Sequence, residues 1–156
     1  MKKTLVLGLG NPILSDDGVG LQVTSQLKSA VDLPDVSISD TELGGINLLE
    51  LLIGYERAII VDAIKTPEGE PGQIYQLSSE SLHATRHTDS THGISFASLI
   101  ELGRKLHLAL PRDIILFGIE AGDVSTFGED CSPAVKRAIP VCVEKVRQKL
   151  NEVITS

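Results

Sequence analysis

The run Ala58-Ile59-Ile60-Val61, closed by Asp62, constrains the fold of this chain most. It is largely β-branched and has no polar residue at alternate positions, so as a strand it must be buried on both faces. Strands of that kind occur where helices cover both sides of a mainly parallel sheet. The remaining apolar pattern agrees. Thr4 to Leu9 reads as a first strand, and after a Gly/Asn/Pro turn Asp17 to Ala30 reads as a helix with Val19, Val23 and Leu27 at i, i+4, i+8. Val36 to Ser39 reads as a second strand, Ile46 to Ile53 as a helix opened by Gly44-Gly45, and Ile74 to Leu77 as an edge strand. Phe96, Leu99, Ile100, Gly103 and Leu106 mark one face of a helix on which Glu101 can pair with Lys105. Ile114 to Gly118 reads as another buried strand. A last helix has Ser132 as N-cap, Pro133 at its first position and Val135, Ile139, Cys142, Val146, Leu150 and Val153 along its apolar face. Pro140 should kink that helix at Ile139. The expectation is an α/β three-layer sandwich: a mostly parallel, twisted sheet of about five strands with helices on both faces, formed by residues 1–156 as one domain.

Composition narrows the function classes. With 42% hydrophobic and 22% charged residues, a chain of 156 residues is expected to bury roughly 68–70% of its unfolded surface. Twenty-one acidic residues against 14 basic ones leave a net charge of −7. No basic run supplies the footprint that gives nucleic-acid binders their non-specific affinity, and the same deficit argues against anionic membranes. No stretch approaches the ~20 apolar residues of a membrane span, and Gly8, Gly10, Asn11 and Pro12 cut the first apolar run too short for a signal peptide. Cys131 and Cys142 form neither a disulfide framework nor a Cys-x-x-Cys zinc knuckle, which fits a reducing cytoplasm.

Ligands of open α/β sheets bind beyond the carboxyl ends of the strands, so the polar residues there carry the candidate chemistry. They are Asp16 and Asp17 after the first strand, Asp62 after the third, and Glu120 and Asp123 after the last. Gly8-x-Gly10 invites a dinucleotide reading. However, the third glycine of G-x-G-x-x-G would fall at Ile13, the helix starts only near Asp16, and two aspartates there would repel a phosphate. Asp16 reads as a helix cap. Asp17 is not needed for capping, and Gly18 and Gly20 are expected to leave its surroundings open. The weakly periodic stretch from Ser78 to His92, with His83, His87 and His92, reads as a functional loop. Asp17 and Asp62 with one of these imidazoles make an O, O, N set. That set suits a borderline divalent transition metal better than magnesium or calcium and leaves coordination positions open. His83 and His87 compete with His92 on residue type alone.

The segment Gly8-Leu9-Gly10-Asn11-Pro12-Ile13-Leu14-Ser15-Asp16-Asp17-Gly18-Val19-Gly20 resembles the opening motif of the hydrogenase maturation endopeptidases, roughly G-x-G-N-x-[LI]-x-x-D-[DE]-G-x-G. Ile60-Val61-Asp62-Ala63-Ile64 is similar to that family's central strand and acid, and Ser90-Thr91-His92-Gly93-Ile94-Ser95 to its loop histidine. Gly118-Ile119-Glu120 and Ser132-Pro133-Ala134-Val135 resemble its final strand and helix start. The resemblance implies a cytoplasmic peptidase that removes the C-terminal extension of a nickel-iron hydrogenase large-subunit precursor after nickel insertion. It implies that Asp17, Asp62 and His92 are both the catalytic and the metal-contacting residues, the nickel being presented by the substrate rather than held by the free enzyme. Thr41-Glu42-Leu43-Gly44-Gly45 departs from the Asp-Gly-Gly-Thr or Gly-Thr-x-Gly turn of many members. Gly-Leu-Gly-Asn-Pro also resembles the start of peptidyl-tRNA hydrolases. That family needs a histidine about a dozen residues further on, and the first after this stretch is His83. A non-enzymatic nucleotide-binding α/β module is the other alternative.

Overall fold

The computed structural model describes residues 3–42, 46–78, 89–90 and 96–155. Strand β1 (Thr4–Leu9) leads through a single 3-10 turn (Ser15–Gly18) into helix α1 (Val19–Ala30). There follow β2 (Val36–Thr41), α2 (Ile46–Leu52), β3 (Arg57–Lys65), β4 (Ile74–Ser78), the two-residue β5 (Asp89–Ser90), α3 (Phe96–Lys105), β6 (Asp113–Glu120) and α4 (Pro133–Thr155). The sheet runs in the order β2-β1-β3-β6-β4, with β5 pairing separately on β3. β1, β2, β3 and β6 are mutually parallel, while β4 lies antiparallel on β6.

Alternate strand residues feed two separate cores, as period-2 side-chain alternation requires. Val6, Ile59, Val61, Phe117 and Ile119 pack under α1 and α4 with Val19, Val23, Leu27, Val135, Cys142 and Val146. Leu5, Leu7, Ala58, Ile60, Ile114 and Leu116 pack under α2 and α3 with Leu48, Leu49, Leu52, Phe96, Leu99 and Ile100. This is the expected α/β three-layer sandwich. The dense run at 58–61 is apolar throughout because one residue serves each core in turn.

Several boundaries differ from the sequence expectation. β3 does not end at Val61 but continues to Lys65, and β6 continues to Glu120, because Asp62 and Glu120 are accommodated inside the ladder, each 2% exposed or less. The first helix is preceded by a 3-10 turn, so Asp17 stands in that turn and not in α1. β2 runs on to Thr41, and α2 stops at Leu52. α3 ends at Lys105, where the chain turns through His107 at φ 57, so Leu106 is half exposed and does not extend the buried face. Glu101 does pair with Lys105, at 3.7 Å. Pro140 lies inside α4 without ending it. Gly44 and Gly45 lie outside the described residues. Among the described residues no helix is long and apolar enough to cross a membrane.

The strand order positions the site. From β1 the chain passes through α1 on one face to β2, then returns through α2 on the other face to β3, on the far side of β1. The carboxyl ends of β1 and β3 therefore flank the topological switch point, where connections diverge and leave a crevice.

Candidate active site

Asp62 owes its place to the unequal lengths of β1 and β3. The last β1–β3 pair is Gly8 with Val61, so Asp62 is the first β3 residue beyond the reach of β1, while it still pairs with Gly118 of β6 on the other side. Alternation along β3 puts it on the same face as Ala58 and Ile60, under α2 and α3. It is only 2% exposed, and its Oδ1 is sealed from solvent.

Asp17 stands in the 3-10 turn after β1, which packs against β3, the strand that carries Asp62. Helix α1 approaches the sheet so closely that a Cβ on Gly20 would lie 2.4 Å from the Val61 carbonyl oxygen and 2.5 Å from that of Leu9. A Cβ on Gly8 would in turn lie 2.5 Å from the Gly20 carbonyl oxygen. Close backbone packing therefore accounts for Gly8 and Gly20. Gly18 and Gly20 do not open the surroundings of Asp17 as expected, for Asp17 is 4% exposed. Gly10, at φ 155, lets the turn pass the Asp17 carbonyl, which a Cβ would meet at 2.1 Å. Asn11 N–H donates to Asp17 Oδ2 at 2.9 Å, and Asn11 Oδ1 accepts from Ile13 N–H at 3.1 Å. Asn11 thus orients the carboxylate, a role its position between glycine and proline does not reveal in the sequence.

Asp16 is not a cap of its own helix. Neither the 3-10 turn nor α1 has a side-chain cap, and the Asp16 carboxylate, wholly buried, turns instead toward the segment after β6. It accepts hydrogen bonds from Gly122 N–H (2.8 Å), Asp123 N–H (2.9 Å), Ser132 N–H (2.6 Å) and the Ser132 hydroxyl (2.7 Å). Ser132 consequently donates its hydroxyl to Asp16, and this carboxylate lies at the N-terminus of α4, where negative charge is favoured. Glu120 is also structural: Thr66 N–H, the Thr66 hydroxyl and the Tyr75 hydroxyl all donate to it, fixing the β3–β4 connection. Asp123 closes a turn by accepting from Ser125 and Thr126 N–H, each at 3.0 Å. Hydrogen bonds from the Thr126 side chain and backbone, then from Ser125, lower its pKa from 3.8 to about 2.

No thiol is activated. Burial, reinforced by the negative charges of Asp16 and Asp130, pushes the Cys131 thiol up to about 11. Burial alone raises Cys142, in the α1–α4 core, to about 12. Both stay protonated at neutral pH and are poor nucleophiles.

The third expected member of the site, His92, lies outside the described residues, as do His83, His87 and the 43–45 part of the divergent turn. Flanking elements are described. β5 pairs antiparallel with β3 at Ile64–Ser90, two residues from Asp62, and α3 begins at Phe96 in the core on the Asp62 face. Among the described residues no three His, Cys, Asp or Glu side chains cluster as a metal site.

Comparison with known proteins agrees with this architecture. The hydrogenase maturation protease family model matches residues 21–149. The chain is 28% identical over 152 residues to the hydrogenase 2 maturation protease of Escherichia coli, covering 96% of this chain and 92% of that one. It is also 28% identical to a putative hydrogenase maturation protease of Methanocaldococcus jannaschii, covering 98% and 94%. The fold is similar to that of the hydrogenase maturating endopeptidase HybD from E. coli, with a TM-score of 0.83 and 25% identity over 97% of this chain and 93% of that one. For the [NiFe] hydrogenase maturation protease HybD from Thermococcus kodakarensis the TM-score is 0.70 and the identity 28%, over 95% and 98%. With most of α1, every element from β2 to β6 and most of α4 inside the matched region, the chain belongs to the hydrogenase maturation protease family.

Proposed function

We propose that this peptidase removes a C-terminal extension from the precursor of a nickel-iron hydrogenase large subunit after nickel has been inserted, and that Asp17, Asp62 and His92 recognise nickel held by the substrate. The observation that carries the proposal is that two carboxylates are buried at the carboxyl ends of the neighbouring strands β1 and β3, one in the turn after β1 and one where β3 runs on past its β1 pairing. Carboxylates and an imidazole form a mixed donor set suited to a borderline metal such as nickel. His92 follows Ser90 by two residues and precedes Phe96 by four, and both flanks lie on the Asp62 side of the crevice.

The chain's own residues set up the selection. Asn11 N–H holds Asp17, and β6 pairing fixes the backbone of Asp62, so two donors are preorganised. Burial strengthens the attraction of both carboxylates for a cation, which favours a partner that brings one. A precursor whose cysteines hold nickel brings that cation, whereas an apo-precursor does not. Cleavage is thereby coupled to correct metal insertion. The nickel supplies Lewis acidity next to the peptide. We place the reaction in the cytoplasm, where the free thiols of Cys131 and Cys142 stay reduced.

The test uses one large-subunit precursor prepared with and without nickel, and protease stripped by chelator and desalted. The expected result is loss of the C-terminal tail by mass from the nickel-loaded precursor alone. Efficient cleavage of the apo form, or a stripped protease revived only by zinc, would replace the proposal with an ordinary metallopeptidase.

A further inference from the structure

Phe127 is 79% exposed, although the other two phenylalanines, Phe96 and Phe117, are buried in the two cores. A lone exposed apolar residue on a loose loop would need no explanation. This loop is not loose. Leu14 and Gly128 form a parallel bridge, closed by Ser15 N–H to the Gly128 carbonyl at 2.9 Å and Gly128 N–H to the Ile13 carbonyl at 2.8 Å. The Ser15 hydroxyl adds a bond to the Asp130 carbonyl at 3.1 Å, and Asp123 ties down the turn leading to Phe127. One residue before the bridge on each segment stand Ile13 and Phe127, and Ile13 is itself 49% exposed. Ile13 is two hydrogen bonds from the Asp17 carboxylate, through Asn11.

We propose that Ile13 and Phe127 form a preorganised apolar platform at the rim of the acid site that receives an apolar side chain of the polypeptide substrate. This rests on the reading of Asp17 as a member of the active site. A protease must hold an extended chain in register across its reacting groups. Two apolar side chains on a backbone held by hydrogen bonds beside one of those groups offer contact area with only their own rotamers left to order. An aromatic on a rigid support is also the residue type that dominates binding when it is covered. The occupant is the substrate polypeptide because the platform is continuous with Asp17 through Asn11.

The experiment compares wild type with Phe127→Ala, Ile13→Ala and Phe127→Leu on the nickel-loaded precursor, together with binding of the uncleaved precursor in the Asp62→Asn background, each Kd being compared with that of Asp62→Asn alone so that the lost nickel contact is common to all. Each alanine variant is expected to raise KM and Kd by about 10-fold while kcat and Tm stay near wild type, and Phe127→Leu should recover most of the affinity. Unchanged KM and Kd in both alanine variants, or a fall in kcat alone, would overturn the platform. A wild-type protein that neither binds nor cleaves the precursor would instead overturn the functional reading beneath it.

Discussion

Asp16 and Ser132, 116 residues apart, are joined by two hydrogen bonds, from the serine N–H at 2.6 Å and from its hydroxyl at 2.7 Å. The pair clamps the turn after β1 to the start of α4, and with Gly122 and Asp123 it gathers the segment after β6 around one buried carboxylate. The adjacent aspartates differ in their partners: Asp16 is saturated by the segment after β6, while Asp17 accepts from Asn11 N–H and is the one proposed to meet the substrate. Asp16→Asn should cost about 2–4 kcal/mol, since an amide cannot accept from donors on every side and brings two donors of its own into them. Urea denaturation measures this. A loss below about 1 kcal/mol would show that the clamp is not stabilising.

Asp62→Asn should behave in the reverse manner. The volume and one acceptor oxygen are kept, so stability should change by no more than about 1–2 kcal/mol, while tail removal from nickel-loaded precursor falls by at least about 100-fold. A variant that melts normally and cleaves at the wild-type rate would make Asp62 a structural residue.

For the histidine, alanine substitutions at His83, His87 and His92 should affect cleavage only at His92, the one that matches the family's loop histidine and is closest in sequence to α3. Equal residual activity in all three variants, or loss at His87 alone, rules the assignment out.

Gly20→Ala should be poorly tolerated, because the new methyl group meets two backbone oxygens, those of Val61 and Leu9, and neither can rotate away. A loss of about 3 kcal/mol, or roughly 10 °C in Tm, is expected. Gly128→Ala is the control: no atom lies within 4 Å of its added methyl group, and Tm should scarcely move. Equal melting of the two variants would contradict the close approach of α1 to the sheet.

Asp123 gives a pH signature. Its pKa falls from 3.8 to about 2 on folding, so its stabilising contribution is complete above about pH 4 and disappears as pH drops toward 2. The Tm difference between wild type and Asp123→Asn should therefore be constant at higher pH, close between about pH 4 and 2, and shrink in high salt, since the group is exposed. A difference that persists at pH 2 would show that another interaction holds this turn.

The amino-acid sequence by itself determined the layered α/β architecture, because unbroken apolar strands and helix-period runs are local patterns that only two-sided coverage of a sheet can bury. It also determined the family, because the glycines, the paired acids and the later strand-end acid recur in order along one chain. Only the tertiary structure decided which groups the Asp16 carboxylate serves. Identical side chains at adjacent positions differ solely in what lies opposite them, and the partners of Asp16 come from residues 122–132, at the other end of the chain. Strand length was likewise a tertiary matter. Polar Asp62 and Glu120 look like strand ends in sequence, yet both are held within the sheet, since a neighbouring strand satisfies backbone bonds irrespective of side-chain polarity. The glycines, too, took their meaning from the fold, as a seam between α1 and the sheet. A missing Cβ is visible in the sequence, but the atom that takes its place is fixed only by long-range packing.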